Sequence, residues 1–414
     1  MGKSYKSSGR SAPVSSRFEA GRLKIDVAMS VELMERSREM VHGFLSELGR
    51  MTLESLLEAS AEQVAGARSP GSRAKAGPTR HGYESGSVRL GVRKVAVDRP
   101  RLRQGGKEVE VPLYGRLRRD PGLSAKVYQA GVAGLSTRRV EPVLDASGLA
   151  RSQVSRHLID EMESRYEELG SRAIDKRMLV VLMDGMHVGG HLLLSAVGMD
   201  EAGKKHVLGI REGSTENAEV ARSLLSDLIL RGLSASTGIL FILDGAKALS
   251  SAVKALFPHA RIQRCRVHKL RNVEDHLPES KKPYVRAAMQ AAWKLPIKEG
   301  VGRMEDLAKE LQVERPGAAG SLREGLEETF TVNGLGLPPL LIPGLATTNI
   351  IENCHGAIGQ RMRRVTNVQN GKMALRWAAS ALLEAEPNMR TVKGFKHLWM
   401  LKASLDNELA KKAQ

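Results

Sequence analysis

The chain has 414 residues, and 42% of them are hydrophobic, enough for two or three packed domains and too many for a disordered or collagen-like chain. Its 64 Lys and Arg against 46 Asp and Glu leave a net charge of +18, which suits a polyanionic partner, nucleic acid first among them. Two cysteines, Cys265 and Cys354, exclude a disulfide framework and a four-cysteine zinc module.

The Met1 end carries no secretory apolar stretch, and no run approaches the ~18 apolar residues that span a bilayer, so the expectation is a soluble, cytoplasmic protein with no membrane partner. Residues 1–22 are rich in Ser, Gly, Lys and Arg without periodicity and read as a disordered basic tail. From Asp26 to about Gln63, Leu33, Met34, Met40, Val41, Phe44, Leu45 and Leu48 recur at helical spacing among glutamates, predicting an oligomerising or packing helix pair. The Gly, Ser and Pro-rich stretch 65–79 reads as a linker. From Ser87 to Val111 apolar residues alternate around Arg99, Arg101 and Arg103 and a Gly105-Gly106 turn, predicting a β-hairpin with a basic tip. Residues 66–120 hold 14 Lys and Arg against 5 Asp and Glu, half of the whole excess, and that density favours phosphate contact.

Leu135 to Leu158 reads as a helix after Ser136, a Ser-Gly-Leu turn at 147–149, and a second helix whose Val154 and Leu158 face inward, which together make a helix-turn-helix. Ser152, Gln153, Ser155 and Arg156 then point outward, residue types that suit base edges and phosphates. An ordinary αα-hairpin is the alternative, and Pro142 is irregular inside the first helix.

The stretch from Met178 to Asp244 alternates more clearly. Leu179 to Met183 is a buried strand ending at Asp184-Gly185, His191 to Val197 a second and His206 to Ile210 a third. Glu216 to Leu233 is an amphipathic helix, and Gly238 to Leu243 an apolar strand ending at Asp244-Gly245. A helix from Ala246 to Leu256 and a strand from Ala260 to Cys265 follow. Three antiparallel strands, a helical crossover and a parallel strand open an RNase H-like α/β fold. Parallel strands bring Asp184 and Asp244 to one edge, where hard carboxylate oxygens bind Mg²⁺. Two such ions activate an attacking hydroxyl and stabilise a leaving oxygen of a phosphodiester. The plain alternative is that Asp-Gly marks turns.

Glu352, in the helix opened by Thr347-Thr348-Asn349 and running to about Arg364, is the candidate third carboxylate. Asn349 with Glu352 also fits a capping box. Glu352, Gly356, Gly359 and Arg363 share one helical face, and Arg361, Arg363 and Arg364 would carry it onto phosphates.

The segments Met183-Asp184-Gly185, Leu243-Asp244-Gly245, Arg264-Cys265-Arg266-Val267-His268-Lys269-Leu270-Arg271-Asn272-Val273 and Thr347 to Asn353 resemble the Mutator-type transposases of bacterial insertion sequences. Separations of 60 and 108 residues between the three acids look like that family as well. The resemblance covers roughly 80–390. It implies a DDE-type RNase H-like domain with an α-helical insertion between the second Asp and the Glu, cutting and joining DNA with Mg²⁺, for which Mn²⁺ can substitute. Its partners are then double-stranded DNA at element ends and target, and a second copy of the chain, acting at the nucleoid.

The resulting organisation is a tail, helices and linker at 1–79, a DNA-binding region at 80–170, RNase H-like core at 171–272, helical insertion at 273–345, and remaining core with C-terminal helices at 346–414. Cys265 and His268 have half of a zinc spacing and read as packing or active-site support. His187 reads as a solvated strand-end histidine, with phosphate orientation the alternative, and Trp293 as a core ring, with base stacking the alternative. Two rivals remain at this level: a helix-turn-helix regulator without catalysis, and a non-mobile RNase H-like nuclease.

Overall fold

A computed structural model of the chain describes residues 18–19, 22–23, 27–66, 77–90, 93–118, 121–144, 150–214, 217–363, 365 and 367–413. The remaining positions, with most of the expected tail and linker, the 147–149 turn and Arg364, lie outside the described residues. The chain divides into two units at Gly122 and Leu123.

In the first unit, Phe18–Glu19 (β1) pairs antiparallel with Arg22–Leu23 (β2). One continuous helix, α1 (Val27–Ala65), replaces the expected pair. No proline interrupts this segment, so nothing in it forces a break. Strands β3 (Thr79–Leu90), β4 (Arg93–Gln104) and β5 (Lys107–Val109) form an antiparallel meander, followed by α2 (Pro112–Arg118). Leu90 pairs with Arg93 as the last pair of the long hairpin, and Gly105-Gly106, both at positive φ, makes the turn between β4 and β5. Arg99, Arg101 and Arg103 lie along β4 beside that turn, not at the tip of the long hairpin. Leu53, Leu57 and Ala61 of α1 bury against Val88, Val97, Leu102 and Tyr114. Glu54 accepts the Asp98 backbone N–H at 3.0 Å and Glu58 accepts from Tyr83 at 3.0 Å.

The second unit starts within α3 (Pro121–Val132) and continues with α4 (Thr137–Val143) and α5 (Arg151–Ser171). The expected region 80–170 is thus shared out: its strands join α1, whereas α5 packs on the later sheet and helices. The reason is apolar, because Leu169 of α5 lies in the core of that sheet and its helices, and Trp377 of the later chain packs against the cluster of Met162 with Tyr128 and Val132.

Strands β6 (Met178–Val188), β7 (His191–Asp200) and β8 (Lys205–Glu212) are antiparallel neighbours. Helix α6 (Ala218–Leu230) crosses to β9 (Leu240–Leu243), parallel to β6, and α7 (Lys247–Leu256) crosses to β10 (Arg261–Arg264), parallel to β9. The resulting mixed α/β sheet has the order β10-β9-β6-β7-β8. Both faces are covered, which explains the unbroken apolar runs. Val180, Leu182, Leu240 and Ile242 enter one core, while Val181, Met183, Phe241 and Leu243 enter the other with α6 and α7.

After β10 come α8 (Arg266–Glu274), α9 (Lys282–Ala292), α10 (Ile297–Glu314), α11 (Pro316–Arg323), a 3₁₀ helix at Glu327–Leu335, and α12 (Ile342–Leu345). The first four and the start of the 3₁₀ helix enclose a core of their own. Trp293 belongs to it: the ring is buried and its Nε1–H donates to Thr329 Oγ1 at 3.0 Å. Helices α13 (Asn349–Met362), α14 (Gly371–Ala385) and α15 (Leu398–Ala413) complete the core on the Leu182 side of the sheet. Among the described residues no helix is long and apolar enough to cross a membrane.

Candidate active site

Alternation along the strands decides where the carboxylates point. Residues 180, 182 and 184 of β6 share one face, and 240 and 242 of β9 share the same face, the one covered by α13. Met183 pairs with Leu243, and there the parallel ladder stops. Asp184 on β6 and Asp244 just past the end of β9 are the next residues. Asp184 is nonetheless not at a strand end, because β6 continues to Val188 by pairing with β7. Only the β9 side of β6 is open at this level, and it opens toward Asp244. Gly245 lets the chain leave β9 at φ +108°, and a Cβ there would overlap the Arg264 guanidinium.

Asp184 is 6% exposed. Burial pushes its carboxyl up to about 7; His268 opposes this, and the Asp244 and Glu352 carboxylates add to it. Opposite Asp184 on β7 is Ser195, whose buried Oγ lies 2.7 Å from His355 Nε2. Burial holds His355 down to about 4, so its Nδ1, 3.6 Å from Asp184 Oδ2, faces the carboxyl as a neutral ring. His355 stands three residues after Glu352 on α13, one turn further along the same face.

Glu352 does not form the expected capping box with Asn349. Its Oε1 accepts from Thr348 Oγ1 at 2.9 Å, because α13 starts at Asn349 and places Thr348 in the N-cap position. Thr348 touches the Cys265 thiol, with its N 3.3 Å and Oγ1 3.2 Å from Sγ. Burial would raise the Cys265 thiol, but hydrogen bonds from His268 and Thr348 outweigh it and hold it below its ordinary value. The same Cys265 contact, helped by Asp184 and Glu352, raises His268 to about 9. Beside Asp244 a cleft of about 580 Å³ is lined by Lys247, Arg264, His268, Asn272 and Glu324.

The other expected contacts are spread more widely. Arg99 is tied to Glu84 and Glu108 at 2.9 and 3.0 Å and lies over the Tyr114 ring, and Arg101 approaches Glu84 at 3.5 Å, so both are partly neutralised within their sheet. Arg103 is half-buried. On α5, Ser152, Gln153 and Arg156 are exposed, Ser155 and Leu158 are half-buried and Val154 is buried. Gln153 also accepts the Ala150 N–H at 3.1 Å. Arg363 is exposed and Arg361 half-buried at the end of α13, and His187 is exposed. Thr348, His355 and Ser195 escaped the sequence reading, although Ser195 follows from strand pairing with Asp184 and His355 from helical spacing to Glu352.

A family model for the Mutator family of transposases matches residues 24–389. The chain belongs to that family. It is 29% identical over 284 residues to the transposase for insertion sequence element IS1081 of Mycobacterium tuberculosis, covering 65% of this chain and 66% of the relative, just under two thirds of that protein's length. It is 26% identical over 362 residues to the ISRM5 transposase of Rhizobium meliloti, covering 83% and 88%. With the transposase of IS256 in transposon Tn4001 of Staphylococcus aureus it shares 26% over 325 residues, covering 74% and 80%.

Three hard carboxylate donors, one of them driven toward protonation by burial with a smaller push from the other two, fit a divalent cation that would offset that cost. The protein without a cation carries a signature of that burial. The folded pKa of Asp184 lies above the ordinary carboxylate value, so the protonated carboxyl stabilises the fold at low pH and that stability is lost as pH rises through about 7. Asp184→Asn is expected to be more stable than the parent at pH 8 in chelator, by roughly 2 kcal/mol, with the gap closing toward pH 4. Thermal melts at the two pH values check this; a variant less stable than the parent at pH 8 contradicts it.

Proposed function

We propose that this member of the Mutator family is a transposase that binds the terminal inverted repeats of an insertion sequence and carries out DNA cleavage and strand transfer at Asp184, Asp244 and Glu352. The observation that supports the reading is that Asp184 and Asp244 each stand one residue past the last pair of a parallel ladder, with Glu352 close enough to add to the rise of the Asp184 carboxyl. The strand order, with a helical segment inserted between β10 and α13, supports an RNase H-like domain.

In the first step water attacks the phosphodiester at the element end and a 3′-hydroxyl leaves. That hydroxyl then attacks a target phosphodiester. Each step forms one P–O bond and breaks one, so no covalent protein intermediate and no external energy source is needed. The three carboxylates would hold Mg²⁺, or Mn²⁺ in its place, and the ion would supply activation of the attacking oxygen and neutralisation of the leaving one. The protein holds the carboxylates in place: Ser195 fixes the His355 ring against Asp184, and Thr348 fixes Glu352. Lys247 and His268 offer positive charge to phosphates beside Asp244.

The exposed face of α13 is bare. Gly356 and Gly359 have open space where a Cβ would stand, so packing does not require them. We assign them to close approach of the DNA backbone, with Arg361 and Arg363 beyond and Arg364 next in the sequence. Sequence reading of the ends falls to the 80–165 segment, with α4 and α5 as the helix-turn-helix and Ser152, Gln153, Ser155 and Arg156 outward. Two ends must meet one target, and α1 presents Met40, Val41, Phe44, Leu45, Leu48 and Met51 to solvent at a helical spacing. A second copy of α1 is the occupant we propose for that stripe.

Asp184→Asn, Asp244→Asn and Glu352→Gln are each expected to lower Mg²⁺-dependent nicking of end DNA by at least about 100-fold while gel shifts of the same DNA stay near the parent. Normal nicking by Glu352→Gln would leave that residue only its bond to Thr348. The double substitution Gly356→Ala, Gly359→Ala should raise helix stability by roughly 1 kcal/mol or more in a melt and yet reduce cleavage; unchanged cleavage removes the close-approach role. Light scattering of the full chain and of a protein starting at Ala65 should give a dimer on end DNA only when α1 is present.

A further inference from the structure

We propose that Thr348 is a positioning residue for the third carboxylate, locked in turn by Cys265, so that one chain of contacts sets the spacing between Glu352 and Asp244. The inference deepens the reading of Asp184, Asp244 and Glu352 as cation ligands and rests on it.

The contacts form a continuous path. Leu243, the residue before Asp244, accepts the Cys265 backbone N–H through its carbonyl at 2.8 Å. Cys265 Sγ accepts the backbone N–H of Thr348 at 3.3 Å, filling a donor that the start of α13 would otherwise leave unpaired. Thr348 Oγ1 then bonds to Glu352 Oε1 at 2.9 Å. Two elements separated by the whole helical insertion, the end of β9 and the start of α13, are thereby tied at the level of the active carboxylates.

The Thr348 hydroxyl has three neighbours and one proton. Sγ lies at 3.2 Å, His268 Nδ1 at 3.3 Å and Glu352 Oε1 at 2.9 Å. Glu352 can only accept when ionised, so the proton goes to it, and His268 Nδ1–H donates to the lone pair of Oγ1. The Cys265 thiol keeps the backbone N–H. With this assignment Oε1 is held and Oε2 is left for a cation. The Glu352 side chain is 29% exposed, so without this bond its rotamers are free and each bound geometry costs entropy. Thr348 itself is fully buried and Cys265 is at 0% exposure, so the lock does not share its flexibility.

Cys265, His268 and Glu352 also offer three ligand atoms within 4.8 Å of one another, a grouping that suits a softer cation such as Zn²⁺. A buried Sγ already engaged by the Thr348 backbone N–H argues for the lock instead, and the test separates the two.

The test uses the full chain with Thr348→Val, which keeps shape and removes the hydroxyl, Thr348→Ser, which restores it, and Glu352→Gln as reference. Mn²⁺ binding to the free protein is measured by calorimetry, alongside the Mg²⁺ dependence of nicking, end binding and melting temperature. Thr348→Val should weaken Mn²⁺ binding about 10- to 100-fold and raise the Mg²⁺ half-saturation to match, with end binding retained, while Thr348→Ser stays within about threefold of the parent. If Thr348→Val melts early, Cys265→Ala tests the same link and should shift Mn²⁺ binding in the same direction. Unchanged Mn²⁺ binding in Thr348→Val overturns the proposal, as does a Thr348→Ser no better than Thr348→Val. Stoichiometric zinc in the parent that Cys265→Ser loses overturns it too. Parent-like Mn²⁺ binding by Glu352→Gln would instead sink the cation site on which the inference rests.

Discussion

The burial of Asp184, with Asp244 and Glu352 close enough to add to its cost, is the constraint on which the site depends. Carboxylates brought together in a half-buried place oppose folding unless the surroundings hold them, and burial already drives Asp184 toward its neutral form. The sheet overcomes this with rigid geometry. β6 and β9 are fixed by apolar residues on both faces, so the position after each last ladder pair is set by backbone hydrogen bonds and not by the acids themselves. His268 is the nearby positive charge, raised to about 9 by its contact with Cys265. His355, buried and held down to about 4, adds a neutral wall instead.

The helical insertion has a place in the same balance. It carries its own core, and its chain returns to the sheet through buried polar contacts: Gln263 Nε2 donates to the Thr329 carbonyl at 3.0 Å, and Val332 N–H donates to Gln263 Oε1 at 3.0 Å. Lys269, fully buried, gives its ammonium to the Ser321 and Glu324 carbonyls, and Arg264 binds Glu324 at 3.1 Å. Unpaired, these cations would cost several kcal/mol each. Paired, they fix the segment over the cleft beside Asp244.

What the sequence showed follows from what it encodes locally. Strands buried on both faces write themselves as apolar runs, so β6 and β9 and the two Asp-Gly steps were readable, and so was the buried nature of Trp293. The continuation of β6 past Asp184 was not, because its second half alternates and pairs only with β7. A single helix at 27–65 could not be told from two, since the exposed Met40 to Met51 stripe and the buried Leu53 to Ala61 stripe lie on different faces and mimic two amphipathic segments. The basic residues of β4 looked free in sequence, whereas cross-strand Glu84 and Glu108 occupy Arg99. Thr348 was invisible for a different reason: its partners, Cys265 and His268, lie about 80 residues away, and only the folded chain joins them.

The most direct measurement is anomalous diffraction from crystals of the full chain on element-end DNA soaked in Mn²⁺. The account predicts manganese density bounded by the carboxylates of Asp184, Asp244 and Glu352, and its loss from crystals of Asp244→Asn. Manganese elsewhere, or density at Cys265 and His268 with none at Asp184 and Asp244, would contradict it.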